Sequence, residues 1–280
     1  MKGFGMAFSR NDVSVSDSSS DRRRPLGGFT EAFKAEIAKG KRSAARKTAL
    51  IAPVPVCLIG LMSSGIVTGG LGPGGVGFNT YGWCYWYTLL LPVAIALISA
   101  GVAGIDARGK FHGVMSAPVD LRAVWQAKTA YVLVLVACAN AVVALCSIVV
   151  HLLGGSAVGP GASLVMTLLL TASSIWMVQA GLFLTMRLKT LAGIALPLIA
   201  QLALGIALYG SDLWWLVPPA AAMRLCSPFA GVAPSGVPLA AHEAYGVIDI
   251  GWFAALAVCV LVGCMLVVAG SAWFRNWEAR

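Results

Sequence analysis

Six stretches of this chain are apolar for roughly 18 or more residues, close to the length of about 20 that a helix needs to cross the hydrocarbon of a bilayer. They run from about Thr48 to Thr68, from the aromatic cluster at Tyr81 to about Ile105, and then over Thr129 to Leu153, Ser163 to Met186, Leu191 to Tyr209 and Ile250 to Phe274. Within hydrocarbon every backbone N–H and C=O must be bonded internally, which leaves helices and closed barrels as the only spanning structures. Barrel strands read as ten-residue segments of alternating polarity, and these runs do not alternate. The sequence therefore predicts an all-α, polytopic membrane protein with six transmembrane helices. Composition agrees, since charged residues make up 11% of the 280 against about 25% in soluble domains.

The connectors are sharply asymmetric in charge. Of the 20 Lys and Arg, only Arg224 falls on one side of the predicted spans; the others precede the first span, lie between Asp106 and Lys128, occupy Arg187 and Lys189, or follow the sixth span at Arg275 and Arg280. The positive-inside rule turns this bias into an orientation with both termini cytoplasmic. The net charge of +9 then reflects topology. It is scattered over short loops and forms no single basic stripe, so a nucleic-acid partner is not expected.

Residues 1–28 combine a serine-rich run with Arg22, Arg23 and Arg24 and carry too little apolar surface to order themselves, which predicts a disordered cytoplasmic tail. No apolar core of a cleavable signal peptide is present there. Residues 29–47 read as an amphipathic interface helix and basic hinge, with Phe29, Phe33 and Ile37 on one face, Glu31, Lys34, Glu36 and Lys39 opposite, Thr30 as N-cap and Gly40 as the stop. Residues 48–280 form the transmembrane domain. Tyr81, Trp83, Tyr85, Trp86 and Tyr87 suggest an aromatic belt at the start of the second span.

On the opposite side, the connector 210–249 contains Trp214 and Trp215 followed by Pro218 and Pro219. The apolar run there is too short to span, and it predicts a short re-entrant or interfacial segment before the last helix, tolerated at depth only if neighbouring helices cover its backbone. Cys84 and Cys226 both lie toward this side, which leaves a bridge between them open.

The chemistry that is missing narrows the function. No Asp, Glu, Lys or Arg lies in the middle of any predicted span, whereas ion-coupled transporters place ionisable or broken-helix sites near the midplane. There is no GxxxxGK[ST] loop to cradle phosphates, His242-Glu243 lacks the second His of a zinc protease helix, and no GxSxG occurs. The chain reads as non-catalytic and without a cofactor of its own. Asn140, Gln179 and Gln201 inside the spans suit interhelical hydrogen bonds, or a substrate pathway together with the Trp214, Trp215, Pro218 and Pro219 segment. The stretch from Asp106 to Lys128 is the one substantial polar segment between two spans on the basic side, and its aromatic, aliphatic and cationic residues suit the docking of a soluble partner.

An amphipathic helix of pattern FxxEIxKxKR, the cluster YGWCYWYTLLLP opening the second span, and a basic-side loop with a Met-Ser-Ala-Pro-Val segment followed by Trp125-Gln126-Ala127-Lys128 occur in this order. Together they resemble permease subunits of lantibiotic-immunity ABC transporters. The resemblance implies a six-span export permease in a bacterial plasma membrane, paired with a second permease, either a copy or a sister subunit. Separate ATP-binding subunits would hold ATP and Mg. It implies that the loop 106–128 docks on the ATPase, with Val114, Met115, Leu121 and Trp125 as apolar anchors. Arg108, Lys110 and Arg122 would pair with carboxylates, and His112, Pro118 and Lys128 would complete the coupling element.

The helix carrying Phe29, Phe33 and Ile37 would be the interfacial elbow beside the ATPase. The implied substrate is a membrane-inserted antimicrobial peptide or similar amphipathic antibiotic, expelled to confer immunity or resistance. Two alternatives stand beside it: export of a small hydrophobic drug or lipid, and a non-transporting membrane sensor that binds such peptides.

Overall fold

The computed structural model describes residues 27–66, 77–108, 120–240 and 243–276. The expected N-terminal tail up to residue 26, most of the glycine-rich loop after the first span, and Lys110, His112, Val114, Met115 and Pro118 lie outside the described residues, as does the side chain of Arg108. The described residues are nearly all helical, and six helices are long and apolar enough to cross a membrane.

Helix α1 (Phe29–Lys39) precedes the bundle, and its N-cap is Gly28 rather than Thr30, with Gly40 ending it as expected. The first span is broken in two, α2 (Ala44–Ile51) and α3 (Val54–Ser63), because Pro53 and Pro55 remove backbone donors. The second span begins with two π-helical stretches, Asn79–Cys84 and Trp86–Leu90, before α4 (Leu91–Arg108). In the first stretch the closing bond runs from the Tyr85 N–H to the Thr80 carbonyl, five residues back. The wide turns carry Trp83, Cys84, Trp86 and Tyr87 into the interior. The expected aromatic belt is thereby corrected: of its five members only Tyr85 is an exposed large aromatic, while Trp83, Trp86 and Tyr87 are core.

The third span is α5 (Leu121–Leu152), 32 residues long, or about 48 Å at 1.5 Å per residue. It starts two turns before the expected Thr129, because the Asp120 side chain accepts the Arg122 N–H and caps the helix. The fourth span is α6 (Pro160–Ser173) continued by α7 (Ile175–Arg187), and the fifth is α8 (Thr190–Leu208). Two short helices, α9 (Pro218–Arg224) and α10 (Ser227–Ala230), lead to the last span, α11 (Ile250–Arg275).

Helices α9 and α10 pack against the spans. Pro219, Ala220, Ala221 and Met223 are buried, and α9 packs on α8, α11 and α6. Its covered backbone is bonded from the side: Gln201 Nε2 donates to the Pro219 carbonyl at 3.1 Å and Trp252 Nε1 to the Leu225 carbonyl at 3.1 Å. Ala222 shares a water-sized cavity with Leu91, Ser173 and Gln201, residues from the interior of three different spans. Cys84 and Cys226 are both free, buried thiols, so the open question of a bridge is answered against it.

Close helix approach depends on small residues. A Cβ on Gly60 would lie 2.7 Å from the Phe78 ring and 3.1 Å from Cα of Gly82, so only glycine lets the first and second spans meet there.

Candidate functional site: a buried ring of charge at the basic end

Where α1 crosses α5 beside the end of α4, four charged side chains close into a ring. Lys128 Nζ donates to Glu36 Oε2 at 2.7 Å and to Asp106 Oδ2 at 2.6 Å. Lys39 Nζ donates to the other oxygen of each carboxylate, Glu36 Oε1 at 2.9 Å and Asp106 Oδ1 at 3.1 Å. Each cation bridges both anions and the formal charge sums to zero. Lys128 is only 1% exposed. A lone ammonium at that depth would carry a cost of several kcal/mol, and the two carboxylates offset it.

The ring corrects the expected place of Glu36, which the sequence puts on the polar face of α1 with Glu31, Lys34 and Lys39. The inward residues are Ala32 and Glu36, while Phe29 (45%) and Ile37 (40%) are the exposed ones and Phe33 is half-buried, stacked on Phe29 at 5.9 Å. Glu36 belongs to the buried face because Lys128 is there to receive it. The contact is tightened by Arg46 on α2, whose Nε donates to Tyr131 Oη at 2.8 Å while its Nη2 donates to the Ile37 carbonyl at 2.8 Å. Gly40 leaves room for the same Tyr131 hydroxyl.

Lys39 lies outside the spans and keeps a third of its side chain in solvent. Burial works to lower its pKa, but the Glu36 and Asp106 carboxylates outweigh this and hold it above the ordinary lysine value. A raised lysine pKa contributes stability that is fully present below the ordinary value and is lost only as pH rises through the higher folded value. Lys39 therefore stays charged in the ring throughout the neutral and mildly alkaline range.

Asp106 ends the second span and Lys128 opens the third, so the ring ties together both helices that flank residues 109–119 and fastens them to the N-terminal helix. Of the residues expected to dock a partner, Leu121 is half-buried and Arg122 exposed at the start of α5. Trp125 and Lys128 are corrected: both are inside the protein. Trp125 Nε1 donates to Gln179 Oε1 at 3.0 Å, its ring packs against Trp273 and Phe274 at 5.9 and 5.7 Å, and Gly270 leaves space for the indole. Helical periodicity turns Trp125 toward α7 and α11 once α5 begins at Leu121, so it has no surface to offer a docked protein.

The polar residues of the spans also find partners within the chain. Asn140 accepts from Trp86 Nε1 at 2.9 Å and donates to Thr171 Oγ1 at 3.1 Å, joining the second, third and fourth spans. Gln179 joins Trp125 to Thr129, donating to Thr129 Oγ1 at 2.8 Å. The pathway role considered for Asn140 and Gln179 gives way to interhelical bonding, because both side chains are buried and spend their amides on neighbouring helices. Asn140→Leu is expected to lower stability in detergent by about 0.6–1.7 kcal/mol, the span of measured interhelical bonds. Thermal unfolding checks this, and an unchanged midpoint would show that the Trp86 bond carries no weight.

At the opposite end, Gln201 and Pro219 are brought together, with Pro218 and Pro219 opening α9. Trp214 is buried under Arg224, whose guanidinium sits 4.2 Å from the Trp214 ring and 4.6 Å from that of Tyr245, while Trp215 is on the surface. The one cation on this side is thus held between two aromatic faces and donates to the Ala244 carbonyl at 3.0 Å.

A six-span helical bundle with a helix clamped across one end, and a broken segment packed at the other, describes a multi-pass membrane protein. The chain belongs to the ABC-2 family transporter proteins, whose family model matches residues 32–208, more than half of its length. The match begins at Ala32 in α1 and ends at Leu208, the last residue of α8, so all four members of the ring fall within it. Neither a curated protein nor a solved structure matches the chain. As a member of this family it is the membrane subunit of an ABC transporter and partners an ATP-binding subunit.

Proposed function

We propose that this chain is an export permease whose basic end faces the cytoplasm of a bacterium and receives the ATP-binding subunit on residues 109–119 and the flanking helix ends. In this reading two permeases, identical or sister subunits, enclose the pathway. They expel a lantibiotic-like peptide or a similar amphipathic antibiotic from the membrane outward, conferring immunity or resistance. The observation that carries it is the charge ring. A force applied between α4 and α5 reaches Asp106 and Lys128 directly, and through Glu36 and Lys39 it reaches α1, so movement of a docked motor would be passed to three elements at once.

The exposed Phe29 and Ile37 of α1 suit the headgroup region of a bilayer, where amphipathic helices lie. The distribution of Lys and Arg supports the orientation.

Expression of the chain with and without its ATP-binding subunit, in a lantibiotic-sensitive host, tests the reading. Purified chain alone is expected to hydrolyse no ATP, and the pair is expected to co-purify and to raise the inhibitory concentration of the lantibiotic. Co-purification without any change in sensitivity would refute the peptide substrate while leaving the transporter assignment intact.

A further inference from the structure

Between α5, α7 and α11, toward the basic end, lies a cavity of 450 Å³ walled by Trp125, Phe183, Leu184, Leu266, Ala269 and Trp273. Its volume is in the range of small-molecule sites, about 300–1,000 Å³. Leu266 and Ala269 are exposed, so the groove opens outward on the side that faces lipid in a bilayer. The polar groups at its floor are already used: the Trp125 indole N–H goes to Gln179, and the Gln179 amide goes on to Thr129. An occupant is offered walls that are almost wholly apolar, which selects a hydrocarbon chain.

The rim selects the other end of the ligand. Arg187 follows Phe183 by four residues on α7, and Arg122 precedes Trp125 by three on α5, so each stands one turn beyond the groove wall on the same face. Both are exposed. Two cations one turn above an apolar slot are complementary to an amphiphile with a negatively charged head, and basic pockets between spans are known to recognise anionic lipid headgroups.

We propose that this groove binds an anionic phospholipid, with an acyl chain between Trp125, Phe183 and Trp273 and its phosphate on Arg122 and Arg187. The site is separate from the charge ring and does not depend on the identity of the exported substrate.

Native mass spectrometry of the full chain in detergent, supplied with equal amounts of phosphatidylglycerol and phosphatidylcholine bearing the same acyl chains, reads the binding. The parent is expected to retain phosphatidylglycerol over phosphatidylcholine by on the order of tenfold, as two surface cations would give. Ala269→Trp, which fills the groove, should abolish retention. Arg122→Gln with Arg187→Gln should reduce phosphatidylglycerol to the phosphatidylcholine level. If Ala269→Trp does not yield monodisperse protein, Ala180→Leu at the same wall decides in its place. Undiminished retention in the filled variant, or an intact preference after removal of both arginines, would overturn the proposal. So would a parent that is a lipid-free dimer and a filled variant that is a monomer, since the occupant would then be a second copy of the chain.

Discussion

Replacing Lys128 by methionine is expected to destabilise the protein by about 3–5 kcal/mol, the cost of removing one partner from a buried ion pair. The substitution keeps the volume of the side chain but leaves Glu36 and Asp106 facing each other around the single remaining cation, Lys39, which is itself a third exposed. Two buried carboxylates sharing one lysine repel and lose bonding partners, so α1 should detach from α4 and α5. The measurement is thermal unfolding in detergent, together with protease susceptibility of the α1–α2 junction. The triple variant Glu36→Gln, Asp106→Asn, Lys128→Met, which leaves only the third-exposed Lys39 charged, should recover most of the loss, because uncharged replacement of the buried members of an ionic cluster is often neutral. A triple variant as unstable as Lys128→Met would mean that shape, not charge, makes Lys128 necessary.

Trp125→Ala should cost a similar amount, about 3–5 kcal/mol for a large buried aromatic. The missing indole would enlarge the neighbouring groove, remove the ring contacts to Trp273 and Phe274, and leave Gln179 Oε1 without its donor. Trp125→Phe keeps much of the packing and loses the hydrogen bond, so it should fall between the parent and the alanine variant. These effects are expected in the chain by itself. A Trp125→Ala protein as stable as the parent that nonetheless failed to bind the ATP-binding subunit would return Trp125 to the docking surface suggested by its place in the sequence.

The six spans were legible because hydrocarbon leaves so few options: a long apolar run must be a helix. The break before the last span was legible for a related reason, since Pro218 and Pro219 interrupt a run too short to cross. The ring was harder to read. Phe29, Phe33 and Ile37 repeat at helical spacing and mark the apolar face of α1, but nothing local shows that the face packed on the bundle carries Glu36, because a buried Lys128 waits on α5.

Asp106 and Lys128 carried the available signal, being opposite charges on either side of the connection in a helical hairpin and so brought level by antiparallel packing. The partner from α1 lies far away in sequence, and nothing local marks it. Trp125 was misplaced for want of one capping residue: Asp120 starts α5 two turns early, and the same tryptophan that looks like a loop anchor becomes core. The aromatics after Tyr81 turned inward because π-helical turns change which residues share a face, and the apolar pattern alone does not announce them.

The coupling role of the ring is most directly tested with Lys39→Met. This lysine joins Glu36 to Asp106 from the solvent side, so its loss loosens the link between α1 and α4 while Lys128 continues to hold both carboxylates. The permease and its ATP-binding subunit are reconstituted in liposomes, and export of a dye-labelled lantibiotic is measured together with ATP hydrolysis. The complex is expected to assemble and to hydrolyse ATP, with fewer peptides moved per ATP than in the parent. An unchanged ratio of peptide exported to ATP consumed would contradict a role for the ring in passing motion from the motor to the spans.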